Sequence, residues 1–191
     1  MKYIHVDRDG SLNENSKLTL MEFPPFEIPI EVLRWVSQNF QGGLSFWGWK
    51  CSPFIFEIEH DLFNTSNPSF ANCLIEHDFE MVRRRHFPEM PSRLQCMFAV
   101  ANLGDLFIDW TTLFSQKASY YEVFCDTSYS MDAAFLKAYS VATGYKLCDN
   151  TPGIENIYKY WKCEKSASPR IELLLPLRGG VYIGNNLTIQ R

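Results

Sequence analysis

The sequence contains no Cys-x-x-Cys pair, although cysteines stand at 51, 73, 96, 125, 148 and 163. No Cys or His cluster has zinc-ligand spacing, so no metal site is expected. The opening MKYIHVDRDG lacks the apolar stretch of a signal peptide. No apolar run approaches the roughly 20 residues of a membrane helix. Reduced, buried thiols in a cytoplasmic protein with no membrane partner are therefore expected. Basic residues are not in excess: net charge is −4, which disfavours tight non-specific nucleic-acid binding. The segment GLSFWGWK nearly imitates a nucleophile elbow, but its second glycine, Gly48, comes one position too late for G-x-S-x-G, which argues against a serine hydrolase. There is no internal repeat and no clear linker, so residues 1–191 are read as a single domain.

Aromatic residues are abundant, at 15% of the chain. Some must be core, and others can stack on a flat ligand. Residues 2–6 read as a strand ending near His5, followed by turn residues. Residues 11–28 form a connection or lid. Pro29 opens a helix running to Phe40, which Gly42-Gly43 stops. GLSFWGWK reads as an aromatic loop or edge strand, and the alternation of Phe54, Phe56 and Ile58 predicts a strand over 54–59. A helix follows from Phe70 to Phe87, with Glu80 and Arg84 as an i,i+4 pair. Leu94–Val100 reads as a strand, and the stripe Leu103, Leu106, Phe107, Trp110, Leu113, Phe114 as a helix. Residues 120–125 are a strand. Ser130 can N-cap a helix over 131–143 that Gly144 ends. Thr151-Pro152 opens a short helix carrying Ile154, Ile157, Tyr158 and Trp161. A strand over 169–176, a turn at 177–180 and a final strand or two, at 181–183 and 187–189, complete the chain. Strands and helices do not alternate, so a doubly wound sheet is excluded in favour of an α+β domain with a twisted or split sheet.

One residue in this plan is out of place. Glu172 lies in the apolar run IELLLP, where a carboxylate is costly to bury unless paired or hydrogen-bonded. The commonplace use is an edge-strand residue facing solvent; the alternative is a functional acid. Two other features have the same double reading. Arg83-Arg84-Arg85-His86 suits either a phosphate or a solvated helix end favoured by the dipole. Trp47 and Trp49 suit either a docking patch or the core.

The order of elements resembles the ADP-ribosyltransferase superfamily. KYIHVDRDG matches an opening strand ending in His, and PSRLQCMFAVANLGDLFIDW supplies the Phe98-Ala99 strand and its following helix. Residues 120–126, YYEVFCD, match the next strand, and RIELLLPLRGGVYI matches the strand that begins with the catalytic Glu. Pro91-Ser92-Arg93 and Tyr160-Trp161 are similar to a poorly characterised bacterial branch, some of whose relatives are toxins of antiphage or toxin–antitoxin loci. Arg170 stands where arginine-directed relatives carry a second acid, and no Ser-Thr-Ser motif occurs.

The resemblance implies a split, mostly antiparallel sheet with flanking helices and an NAD-dependent mono-ADP-ribosyltransferase. Glu172 and His5 would be the catalytic pair, with Ser92, Tyr120 or Tyr121 as the middle member. His5, Arg8, Ser92, Arg93, Phe98, Tyr121 and Trp161 would contact NAD, the arginines at its pyrophosphate and the rings at its nicotinamide. The acceptor would be a macromolecule, RNA in preference to protein, and a toxin would need an antitoxin partner. The alternatives are an inactive member serving as a binding or adaptor module, and an RNA 2′-phosphotransferase-like enzyme.

Overall fold

A computed structural model describes residues 1–8, 10–60, 62, 70–110, 118–136 and 153–187. The strands are β1 (Lys2–Asp7), β2 (Lys17–Leu18), β3 (Cys96–Ala99), β4 (Ser119–Phe124), β5 (Tyr129–Asp132), β6 (Ile171–Pro176) and β7 (Val181–Asn186). The helices are α1 (Ile30–Asn39), α2 (Phe46–Glu59), α3 (Phe70–His86), α4 (Leu103–Asp109) and α5 (Glu155–Trp161). Short 3₁₀ turns occupy Arg93–Gln95 and Ala133–Phe135.

The fold is α+β, and its strands form two antiparallel sheets ordered β1-β4-β7-β2 and β3-β6-β5. The split expected from the sequence is present. A bridge between Ile4 and Val100 joins the two sheets, with both backbone bonds at 2.9 Å. Tyr3, Tyr121, Val123, Leu173, Leu175, Val181 and Ile183 pack a core between the sheets. On the other side of the second sheet, Leu174, Met131 and Cys96 pack against Phe79, Ile157, Tyr160 and Trp161 of α3 and α5. The central strand β6 is thus apolar on both faces, as its run of leucines requires.

Two expectations are corrected. Residues 54–59 are helical rather than extended: α2 begins at Phe46, so GLSFWGWK also contributes helix rather than an edge strand. Cys51, Ile55 and Ile58 are buried at helical spacing, with Phe54 and Phe56 half-buried beside them. A helix that is apolar nearly all round shows no clear 3.6 period, and here its sequence imitates alternation. Pro53 lies within it and cannot donate to the Trp49 carbonyl; the Ser52 hydroxyl donates to that oxygen instead, at 3.0 Å. Ser45 caps the helix by accepting the Gly48 N–H at 3.0 Å. Gly48 faces the backbone of the Arg93–Gln95 turn so closely that a Cβ would stand 2.2 Å from the Leu94 oxygen.

The second correction is at Ser130. It lies within β5 and caps no helix from Met131. Asp132 takes over the capping role, accepting from Ala134 N at 2.9 Å, and it also accepts from Ser166 N at 2.7 Å and Arg170 N at 2.9 Å. Burial opposes its ionisation, but these amides prevail and hold its pKa below the ordinary carboxylate value. The rest of that expected helix, Thr151-Pro152, Leu113, Phe114 and Cys148 lie outside the described residues.

The described cysteines are all free; Cys51, Cys73, Cys96 and Cys125 are buried, whereas Cys163 is exposed. Trp49 is fully buried and donates to the Met21 carbonyl at 2.9 Å, so it belongs to the core and not to a surface patch. No helix among the described residues is long and apolar enough to cross a membrane.

Candidate functional site

A cavity of about 440 Å³ opens between the two sheets and α2 and α3. Its volume is in the ordinary range for small-molecule sites. His5, Arg8, Arg93, Phe98 and Glu172, drawn from both ends and the middle of the chain, all line it. Trp47, Lys50, Glu76 and Trp110 also line it, as does Asp7. Ser92, Tyr121 and Trp161 lie elsewhere. Ser92 caps the turn at Leu94 and donates to Glu80 at 2.8 Å. Tyr121 packs in the inter-sheet core and donates to the Leu12 carbonyl at 3.2 Å. Trp161 is core, its ring N–H held by the Phe79 carbonyl at 2.9 Å.

Glu172 is buried on the central strand of its sheet, not on an edge. Its Oε1 accepts from the Tyr160 hydroxyl at 2.6 Å and from Arg93 Nη1. Its Oε2 takes no hydrogen bond from the described residues, while the side chain borders the cavity. Arg93 in turn forks onto Glu76, with Nε to Oε2 at 2.9 Å and Nη2 to Oε1 at 3.0 Å. Trp47 Nε1 donates to the same Glu76 Oε1 at 3.2 Å. The guanidinium also donates to the Tyr160 oxygen and lies over the Phe98 ring, 4.7 Å from its centroid. Burial alone would lower the basicity of Arg93, but Glu172 and Glu76 outweigh it and hold the guanidinium charged. Burial, with the carboxylates beside it, keeps the Tyr160 phenol protonated despite the opposing pull of Arg93. Tyr160 therefore donates to Glu172.

On the facing wall, His5 lies beside the bridge that joins the sheets. Its Nδ1 is 2.7 Å from the Phe98 carbonyl, and burial lowers its pKa, only partly offset by that carbonyl and Asp7. In the neutral ring, Nδ1–H donates to Phe98 and Nε2 is left as an acceptor. Arg8 is exposed and Lys50 half-exposed, with Lys50 Nζ 4.5 Å from the Phe46 ring centre, so the rim carries positive charge. Arg170 is not among the lining residues, and its guanidinium lies over Trp110 at 4.5 Å. Arg83 and Arg84 both pair with Glu80, at 2.8 and 3.0 Å, which accounts for half of the basic run as helix-end structure.

A family model described as a protein of unknown function, DUF2441, matches residues 55–183. That is 183 − 55 + 1 = 129 of 191 residues. The chain belongs to the DUF2441 family. No curated protein matches it. The DUF2441 match takes in Glu76, Arg93, Tyr160 and Glu172, while His5, Arg8, Trp47 and Lys50 precede it. The floor of the cavity therefore falls inside the matched segment, and much of its rim and facing wall falls outside.

Glu76 and Tyr160 were not among the site residues expected from the sequence. Glu76 sits on an ordinary-looking helix, and only the fold reveals that it is buried. Tyr160 had a signal in the Tyr160-Trp161 pair, but the neighbouring tryptophan is the more obvious stacking residue.

The cavity brings aromatic rings, carboxylates, an imidazole and cationic side chains together.

Proposed function

We propose that this DUF2441 protein is an NAD-dependent ADP-ribosyltransferase acting on a macromolecule, with this cavity as its active site. The observation that carries the reading is that Glu172 and His5, 167 positions apart in the chain, border the same small-molecule-sized cavity. NAD supplies an activated glycosidic bond whose leaving group departs neutral. The chain must then hold the sugar and pyrophosphate, favour charge on the ribose and limit water. Glu172 accepts a hydrogen bond from a ribose hydroxyl through Oε2 and favours positive charge developing on the sugar. His5, neutral and fixed by Phe98, accepts from a second hydroxyl through Nε2. Arg8, exposed at the rim, takes the pyrophosphate, because the Arg93 guanidinium is engaged by two carboxylates. Apolar and aromatic walls limit access of water.

For the acceptor, RNA is preferred over protein. The resemblance to antiphage toxins supports this reading, which places the protein in the cytoplasm alongside an antitoxin. A specific observation favours one alternative: the ion pair between Arg93 and Glu172 also suits a ligand-binding module without turnover.

The test is release of nicotinamide and transfer of label from NAD, with total RNA, DNA and protein as acceptors. Wild-type protein is expected to label RNA, and Glu172→Gln to be slower by about a hundredfold to a thousandfold, the typical effect of losing one preorganised charge-stabilising group. Saturable NAD binding without turnover would establish the binding module instead. Turnover unchanged in Glu172→Gln would refute the assignment.

A further inference from the structure

The contacts of Arg93 show an unusual preference. A guanidinium gains most from a carboxylate by gripping both oxygens with its fork. Arg93 has two buried carboxylates within reach, and gives its fork to Glu76 while touching Glu172 only through Nη1. Glu76 is itself anchored, since Trp47 Nε1 donates to it at 3.2 Å. The guanidinium lies near the Phe98 and Tyr160 rings, with centroid distances of 4.7 and 5.4 Å. Both contacts to Glu172 fall on Oε1.

We propose that Glu76 is a positioning residue for Glu172: by holding the Arg93 fork, it stops Arg93 from gripping both oxygens of Glu172 and keeps Oε2 available to a ligand in the cavity. Without the Glu76 charge, Glu172 becomes the strongest partner for the fork. Arg93 then turns onto both carboxylate oxygens and masks the group. A buried triad of two acids and one base is a poor way to gain stability, since its desolvation penalty is large. It does fix the direction in which one carboxylate oxygen points.

The inference rests on the reading of Glu172 as the group that meets NAD, and the experiment separates the two. Where wild-type protein turns NAD over and Glu172→Gln does not, Glu76→Gln is expected to lose kcat by about 10- to 100-fold, a fraction of the loss from removing the group itself. KM should stay within about threefold, because binding common to ground and transition states is kept. The double variant Glu76→Gln/Arg93→Gln has no fork to mask Glu172, and should recover about tenfold over the single variant, a non-additive coupling expected only for interacting residues. A merely structural role predicts the reverse, with the double variant worse than the single. That result, or KM rising in step with the fall in kcat, would overturn the proposal.

If Glu76→Gln does not fold, Trp47→Phe loosens the same anchor by removing one hydrogen bond. It should lower kcat a few-fold with KM unchanged, and an unaltered kcat would count against the proposal. If wild-type protein does not turn NAD over, the function fails but this geometry is still decidable. A crystal structure of Glu76→Gln, or of Glu76→Ala where the former does not fold, should show the Arg93 fork on both oxygens of Glu172. A fork left in place would overturn the proposal.

Discussion

Replacing Arg93 with methionine tests how the buried charges are held. In the native protein one guanidinium compensates Glu76 and Glu172, whose residues are 4% and 5% exposed. Methionine fills much of the same space but removes four hydrogen bonds, two to Glu76, one to Glu172 and one to Tyr160, together with the positive charge that the two carboxylates share. Breaking a buried ion pair by deleting one partner costs about 3–5 kcal/mol, because a charge is left uncompensated. The lower part of that range is expected here, since Glu172 borders the cavity and water can reach it. For a chain of this length each kcal/mol lowers Tm by about 2–4 °C, so a fall of roughly 6–16 °C follows. The decisive comparison is the triple variant Glu76→Met/Arg93→Met/Glu172→Met, which removes all three charges together. Apolar replacement of a whole buried ion network is often neutral or stabilising, so it should regain about 2 kcal/mol or more over Arg93→Met. Urea melts followed by circular dichroism, with m compared among variants, measure both differences. A loss below about 1 kcal/mol in Arg93→Met, or a triple variant no more stable than the single one, would refute the reasoning, because an uncompensated buried charge would then carry no penalty.

Three further outcomes follow from local structure. Asp132→Ala removes the acceptor of three backbone amides and should cost about 2–4 kcal/mol, at about 1–3 for each buried donor left unpaired, reduced where water can replace it. Because the folded pKa of Asp132 is depressed, its contribution is present above the unfolded value and is lost as pH falls through the folded one; urea melts between pH 6 and 2 should show a shallower acid loss in Asp132→Asn. His5 is depressed too, so the unfolded chain binds the proton first and stability falls as pH drops below about 6.5. His5→Asn should flatten that slope, and an unchanged slope would count against a buried neutral His5. Gly48→Ala places a methyl 2.2 Å from the Leu94 oxygen, which is backbone and cannot swing away; a loss of about 1–3 kcal/mol, the usual range for overpacking, is expected in thermal melts.

The sequence disclosed the fold where one face of an element is buried and the other is wet. α1 was legible for that reason: Val32, Trp35 and Val36 are buried, while Glu31, Arg34, Ser37 and Gln38 are exposed. The sequence was misleading at α2, which is apolar nearly all round, so that Phe54, Phe56 and Ile58 imitated a strand. It was also misleading at Ser130, where cap chemistry sits in a strand and the neighbouring Asp132 does the capping. In the site, Glu172 stood out because an acid in an apolar strand is locally anomalous. Glu76 did not, because an acid on a helix is normal until tertiary packing buries it. The partnership of Arg93 with both acids spans 96 residues of chain, from Glu76 to Glu172, and no local pattern encodes such a meeting.

The bridge between Ile4 and Val100 has a consequence for motion. The two sheets are separate ladders, and among the described strands this pair of hydrogen bonds is the backbone link between β1 and the strand end that follows β3. His5 rides on one side of the seam and Glu172 on the other. Slight parting of the sheets would widen the cavity, and a molecule touching both residues would act as a rivet across it. Such a ligand slows hydrogen exchange at the Ile4 and Val100 amides that form the bridge, while a ligand held by one wall alone leaves those amides as they were.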